Sequence, residues 1–211
     1  MQNKISFTSY SPSRIVGCAD ILKTVNDHFE LQGEFGTQEP HGTSCCNIVT
    51  RSDGKICKCA VGALMSPRAL DVESRQSTAD DLSDETIEEI HSNFDWRDWS
   101  NEISVSLSWE QHPATKARQF RAFLKAIQAA HDGFSNPFDW ERSYKYRSLR
   151  FQQLRFVISE SELILREALS TQDSIETIRS RMVEPHKVID GSKTVYIDNI
   201  LNAAMAYATS V

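Results

Sequence analysis

Between Pro113 and Gly133 the apolar residues Phe120, Phe123, Leu124, Ile127 and Ala130 recur every three or four positions. That spacing is the period of an α-helix with one buried side, and it commits this part of the chain to packing on other helices. The same spacing returns in Ile15, Val16, Ala19, Leu22, Val25 and Phe29, behind Ser11-Pro12 as N-cap and first helical residue. Gly33 and Gly36 end that pattern, and His131-Asp132-Gly133 is read as the end of the other. Further helices are expected over 161–169, 173–182 and 198–208, capped by Ser161, Asp173 and Asp198. Ser83 opens one more, with Asp84 and Glu85 where carboxylates favour the positive end of the helix dipole.

Strand signals are short. Segments 46–51 and 55–59 flank Ser52-Asp53-Gly54, a turn sequence, and read as a β-hairpin. Segments 187–190 and 193–197 flank Gly191-Ser192 and read as a second. Ile103, Val105, Leu107 and Trp109 alternate with polar residues, as a half-buried strand does. Ala60–Ser66 reads as a short buried helix stopped by Pro67, and 68–81 as a loop. Segment 149–159 fits helix and strand equally. The expected class is α+β, mostly helical with two short β-hairpins. A boundary near Ser135–Pro137 would divide a Cys-containing module, 1–135, from a mainly helical one, 136–211.

The chain has 211 residues, 40% of them apolar and 25% charged, which suits a folded core. No apolar run reaches the roughly 18–20 residues that cross a bilayer, so no membrane partner is expected. The first residues lack the layout of a secretion signal, and the expected setting is the cytoplasm, the host's if the protein is phage-encoded. There the five cysteines would be reduced thiols.

The net charge of −6 conceals strong local blocks. Residues 71–110 carry 12 acidic and 2 basic side chains, whereas 111–155 carry 9 basic and 3 acidic. The acidic block includes Asp80, Asp81, Asp84, Glu85, Glu88, Glu89, Asp95 and Asp98. Uncompensated like charge repels itself, so these residues form the candidate surface for a protein partner. They could equally lie against the basic block of the same chain. That block interleaves Arg142, Lys145, Arg147, Arg150 and Arg155 with Tyr144, Tyr146 and Phe151. Cations on phosphates and rings on unpaired bases would make it a nucleic-acid surface.

Two readings concern the cysteines. His41, Cys46, Cys57 and Cys59 span the first hairpin and could converge on zinc, Cys57 and Cys59 sharing a strand face. The Cys-Cys and Cys-x-Cys spacings fit zinc knuckles poorly, so no cofactor is expected and the thiols are read as small core residues. Alternatively Cys59, at the start of a helix that would favour its thiolate, is the nucleophile of a hydrolase with His131 as base and Asp132 as its orienting group.

Cys46, Asp53-Gly54, Cys59-Ala60-Val61-Gly62-Ala63-Leu64 and Ile127-Gln128-Ala129-Ala130-His131-Asp132 together resemble an uncharacterised family of bacteriophage and bacterial proteins. In that family a hairpin cysteine leads into a Cys-Ala-(Ile/Val)-Gly-x-Leu helix, and a later helix ends in a Gln-x-x-His-Asp phrase. The resemblance covers about residues 40–133. This chain departs from the pattern by adding Cys57 and by having Ser66-Pro67-Arg68 where the family has a Pro-Asp turn. The resemblance implies a phage or prophage origin and no activity. The leading expectation is a non-enzymatic accessory protein that binds a host or viral protein, with the hydrolase and the nucleic-acid module as alternatives.

Overall fold

The structure, a computed structural model, describes residues 11–35, 48–50, 53–72, 82–94, 114–135, 140–171, 173, 175–183 and 191–209. Helix α1 runs Pro12–Gln32. Ser11 precedes it in extended conformation, Pro12 opens it, and Gly33 closes it at φ 78°, a left-handed geometry that glycine adopts without a Cβ clash. The Gly33 amide donates to the Phe29 carbonyl at 2.8 Å and so satisfies one of the last turn's free carbonyls.

The first hairpin forms where expected. Strands β1, Ile48–Thr50, and β2, Ile56–Lys58, pair antiparallel with Val49 opposite Cys57. Gly54 at φ 81° makes the turn, and Asp53 Oδ1 accepts from the Lys55 amide at 3.0 Å. Val49, Cys57 and Cys59 are buried and Ile56 is exposed, so the two cysteines do share the inner face. Past Cys59 the expected short buried helix is a single 3-10 turn, Gly62–Leu64, narrower than the 60–66 span read from the sequence. Pro67 does not merely stop it. Pro67 begins helix α2, Pro67–Val72, inside a segment read as loop, because a proline's fixed φ suits a first helical position.

Helix α3, Asp84–Ser92, starts as expected: Ser83 Oγ accepts from the Thr86 amide. Helix α4, Ala114–Ser135, runs on through His131-Asp132-Gly133. Gly133 is not its stop. A Cβ built there would collide with the Tyr196 hydroxyl and ring, so this glycine exists to let a neighbouring helix approach. Helix α5 is continuous over Trp140–Thr171. It contains no Gly or Pro to break it, which settles 149–159 as helix and places Ser161 in its interior. The buried Ser161 hydroxyl donates back to the Val157 carbonyl at 2.8 Å instead of capping.

Helix α6 covers Ile175–Val183. Helix α7 covers Gly191–Thr209, which corrects the second hairpin. Its would-be return strand, 193–197, is the first part of one helix, and Asp198 lies within that helix rather than capping it. The physical reason is burial: Ile197, Ile200, Leu201, Ala204, Tyr207 and Ala208 make one continuous helical stripe in the core, which outweighs the turn preference of Gly191-Ser192. The described chain is therefore mostly helical with one two-stranded hairpin. The expected strand at 103–109 lies outside the described residues.

Helix α5 is the spine. It packs along α1 and also touches α4, α6 and α7, while α4 packs on α7. Residues from both sides of position 135 share one hydrophobic cluster, among them Phe29, Cys59, Phe123, Leu154, Ile164 and Ile200. Among the described residues no helix is long and apolar enough to cross a membrane.

Candidate functional site

The two phrases of the resemblance meet in space. Gln128, on the buried side of α4, accepts through Oε1 from the Val61 amide at 3.2 Å. Its Nε2 donates to Asp132 Oδ1 at 2.7 Å, one turn farther along α4. The Cys-Ala-Val-Gly-Ala-Leu corner is thus hydrogen-bonded to the Gln-x-x-His-Asp end. His131 Nδ1 lies 3.2 Å from the same Asp132 oxygen. The His131 ring stacks on Phe29 (centroids 5.7 Å, 27°) and meets Phe35 edge-on (5.6 Å, 80°). Cys59 accepts the Gly62 amide through Sγ at 3.3 Å. Cys59 and His131 are both completely buried, and only Asp132 of the proposed triad has its side chain partly in water. A nucleophile without solvent access has no route to a substrate.

A second amide ties the hairpin to α1. Gln32 accepts from the Lys58 amide (2.7 Å) and donates to the Lys58 carbonyl (3.1 Å), pairing with the outer side of β2 as a neighbouring strand would. The same Oε1 stands 3.0 Å from His28 Nε2. Burial holds the His28 imidazole below its ordinary value, against the opposing pull of that hydrogen bond. Lys55 Nζ reaches the Gln32 carbonyl (2.7 Å) and Glu34 (2.9 Å).

A third polar group is buried at the other end of α1. Arg14 donates through Nη1 to the Tyr207 carbonyl at 3.1 Å and lies over the Tyr207 ring, 5.4 Å from its centroid. The Tyr207 hydroxyl stands 2.7 Å from His91 Nε2, which joins α3 to α7. Burial pulls the Arg14 guanidinium down and pushes the Cys18 thiol and the Tyr207 phenol up, so both of the latter stay protonated at neutral pH.

The acidic residues divide. Asp80, Asp81, Asp95 and Asp98 lie outside the described residues. Asp84 pairs with Arg121 of α4 at 2.7 Å, and the same guanidinium donates to the Leu82 carbonyl at 2.6 Å. One contact of the acidic block with the basic block therefore exists, on a carboxylate that stays 90% exposed. Glu85 and Glu88 are exposed, with no ion pair among the described residues, while Thr86, Ile87, Ile90 and His91 hold the helix to the core. Glu89 departs from the expected face: its Oε1 is buried.

The basic residues divide too. Arg142, Lys145 and Arg147 fall within the first turns of α5. Arg150 donates to the Gly133 carbonyl at 3.0 Å, and burial lowers its basicity. Arg155 reaches Asn26 at 3.4 Å and Glu30 at 3.3 Å on α1. Both fasten α5 to its neighbours. His41 and Cys46, the other ligands of the zinc alternative, lie outside the described residues. Among the described residues no group of three or more His, Cys, Asp or Glu converges as a metal site would require.

Comparison with protein-family models, curated proteins and solved structures gives no match.

Gln32, Gln128 and Gly133 carry this arrangement; the sequence alone gives Gln32 no role, Gln128 only a place in the resemblance and Gly133 that of a helix stop. The signal for Gln128 was present: it is a polar residue on a helical side otherwise occupied by Leu124, Ile127 and His131. A polar group at such a position needs a partner, and backbone amides at a chain corner supply one.

Proposed function

We propose that this chain is a non-enzymatic accessory protein of the bacteriophage type, acting in the host cytoplasm, and that it binds a basic patch of a host or viral protein through the outer side of α3. The observation that carries this reading is the contrast in availability. Glu85 and Glu88 stand in water beside Asp84 on a helix anchored from beneath. Cys59 and His131, which a hydrolase would need, are sealed in the core. Arg150 and Arg155, which a nucleic-acid surface would need, hold other parts of the same chain. Exposed carboxylates steer an oppositely charged partner over a Debye length of about 8 Å at physiological salt.

The test reverses Glu85 and Glu88 to Lys together. Proteins captured from a host lysate by the parent chain are identified, and association with the main one is timed at low and high salt. The variant is expected to associate at least about tenfold more slowly at low salt, with the gap closing as salt rises. Its melting temperature should fall by only a few degrees, because both side chains are exposed and only Glu85 lies in the first turn of α3, where a cation opposes the helix dipole. Equal association by parent and variant at low salt would remove α3 from the binding surface.

A further inference from the structure

Two Asp-Gly bonds lie wholly within the described residues, Asp53-Gly54 in the hairpin turn and Asp132-Gly133 in α4. An Asp-Gly bond can rearrange on itself when the glycine nitrogen attacks the aspartate side-chain carboxyl. A glycine leaves that approach open because it has no Cβ. The reaction needs a glycine amide outside any hydrogen-bond ladder and a carboxyl turned back toward it. The fold supplies both to one of these bonds and withholds both from the other.

Gly54 lies in the turn between β1 and β2, beyond the last pair of their ladder, Thr50 with Ile56. Asp53, Gly54, Lys55 and Ile56 are all exposed. Gly54 stands at φ 81°, and a Cβ built on it would meet nothing within 4 Å. Asp53 Oδ1 accepts from the Lys55 amide at 3.0 Å, an Asx turn that folds the carboxyl back over the peptide unit joining Asp53 to Gly54. Holding the reacting groups together is a large part of what an intramolecular attack requires. In α4 both conditions fail. The helix runs on to Ser135, so the Gly133 amide belongs to its ladder. Asp132 Oδ1 accepts from Gln128 Nε2 at 2.7 Å, one turn back along the helix and away from Gly133.

We infer that Asp53 is the site of a spontaneous covalent modification of the folded chain, isomerisation to isoaspartate through a cyclic imide. The Gly54 nitrogen gives its proton to water and bonds to Asp53 Cγ, while the carboxyl hydroxyl leaves as water. Water then adds to the main-chain carbonyl carbon of the ring and breaks its bond to the Gly54 nitrogen. The water lost in the first step returns in the second, and nothing is oxidised or reduced. The main chain now runs through Asp53 Cβ and Cγ, longer by one carbon. That carbon enters the turn which sets Val49 opposite Cys57 and Ile48 opposite Lys58. Gln32 pairs with Lys58 in that register, so the change should loosen the hairpin from α1. The inference is independent of the role given to α3.

Ageing of the full chain tests it, at body temperature in a mildly acidic buffer that keeps part of the carboxyl in its reactive protonated form. Peptide mapping with a protease that cuts before aspartate but not before isoaspartate reads each position. Isoaspartate at 53 should exceed that at 132 at least about tenfold, because reaction within α4 waits for the helix to open. In urea the two positions should react alike. Amide exchange over 55–59 should be faster in the aged chain than in the fresh one. Isoaspartate absent at 53, or equally abundant at 132 in the folded chain, would overturn the inference. So would an excess at 53 that persists in urea, because the neighbouring sequence and not the fold would then choose the site.

Discussion

At the hairpin corner the side-chain amides of Gln32 and Gln128 are turned onto backbone groups of their own chain, whereas on α3 the carboxylates of Glu85 and Glu88 are turned to water. Both regions looked like sites. The corner joins the segment that follows Cys59 to the α4 turn that holds His131 and Asp132, and α3 concentrates negative charge. They differ in what their polar atoms touch. Val61 leaves the sheet with an amide that no strand can pair, in a place that water does not reach. A buried amide without a partner costs more than a hydrogen bond returns, so Gln128 is recruited to meet it. The α3 carboxylates have no such duty. Polar residues that meet a need of the fold are scaffold; those left over are available for a partner.

The largest effect should come from breaking the corner. Gln128→Ala strands the Val61 amide and is expected to destabilise the fold by about 1–3 kcal/mol. Urea denaturation measures this, and a loss within about 0.5 kcal/mol, the size of an ordinary surface change, would mean that water satisfies that amide. Removing the cap of α3 should cost less. Ser83→Ala loses the hydrogen bond to the Thr86 amide, worth about 1 kcal/mol at a helix N-terminus. If amide exchange in α3 is no faster in that variant, the helix is held by Ile87 and Ile90 alone.

A pH effect at the corner should be smaller. The unfolded chain protonates His28 near its ordinary value of about 6.5, while the folded chain resists because burial disfavours the imidazolium. The unfolded state therefore binds the proton first as pH falls. Stability should decline below about pH 6.5 and level off once the folded state is also protonated. Replacing His28 with Asn should remove this part of the decline. Denaturation curves of parent and variant that keep parallel pH profiles would assign the decline to other groups.

Local chemistry was legible in the sequence wherever a residue acts on its immediate neighbours. Pro12, Gly33, Asp53-Gly54 and Ser83 each do what their type does at a chain end or turn, whereas Ser11 precedes α1 without a side-chain cap, its hydroxyl lying on that of Ser13. The misreadings share one cause. Gly133 read as a helix stop because its reason, the approach of Tyr196, sits on α7 more than sixty positions away. Gly191-Ser192 read as a turn because the pair's local preference hides that the helix expected from Asp198 extends back through 193–197 to Gly191. Ser161 read as a cap because a serine before acidic residues is a frequent start, whereas here α5 simply continues. The corner was half legible: its two phrases stood out separately, and the Val61–Gln128 hydrogen bond that joins them spans 67 positions.

The contrast between corner and α3 rests on Cys59 being packing rather than chemistry. Alkylation of the native chain at neutral pH, read out by mass spectrometry for the peptide carrying Cys59, tests that most directly. Cys59 is completely buried with its sulfur on the Gly62 amide, so it should stay unmodified until denaturant unfolds the whole chain. Modification of Cys59 under native conditions at the rate of an exposed thiol would contradict the account and return the cysteine to the candidates for catalysis.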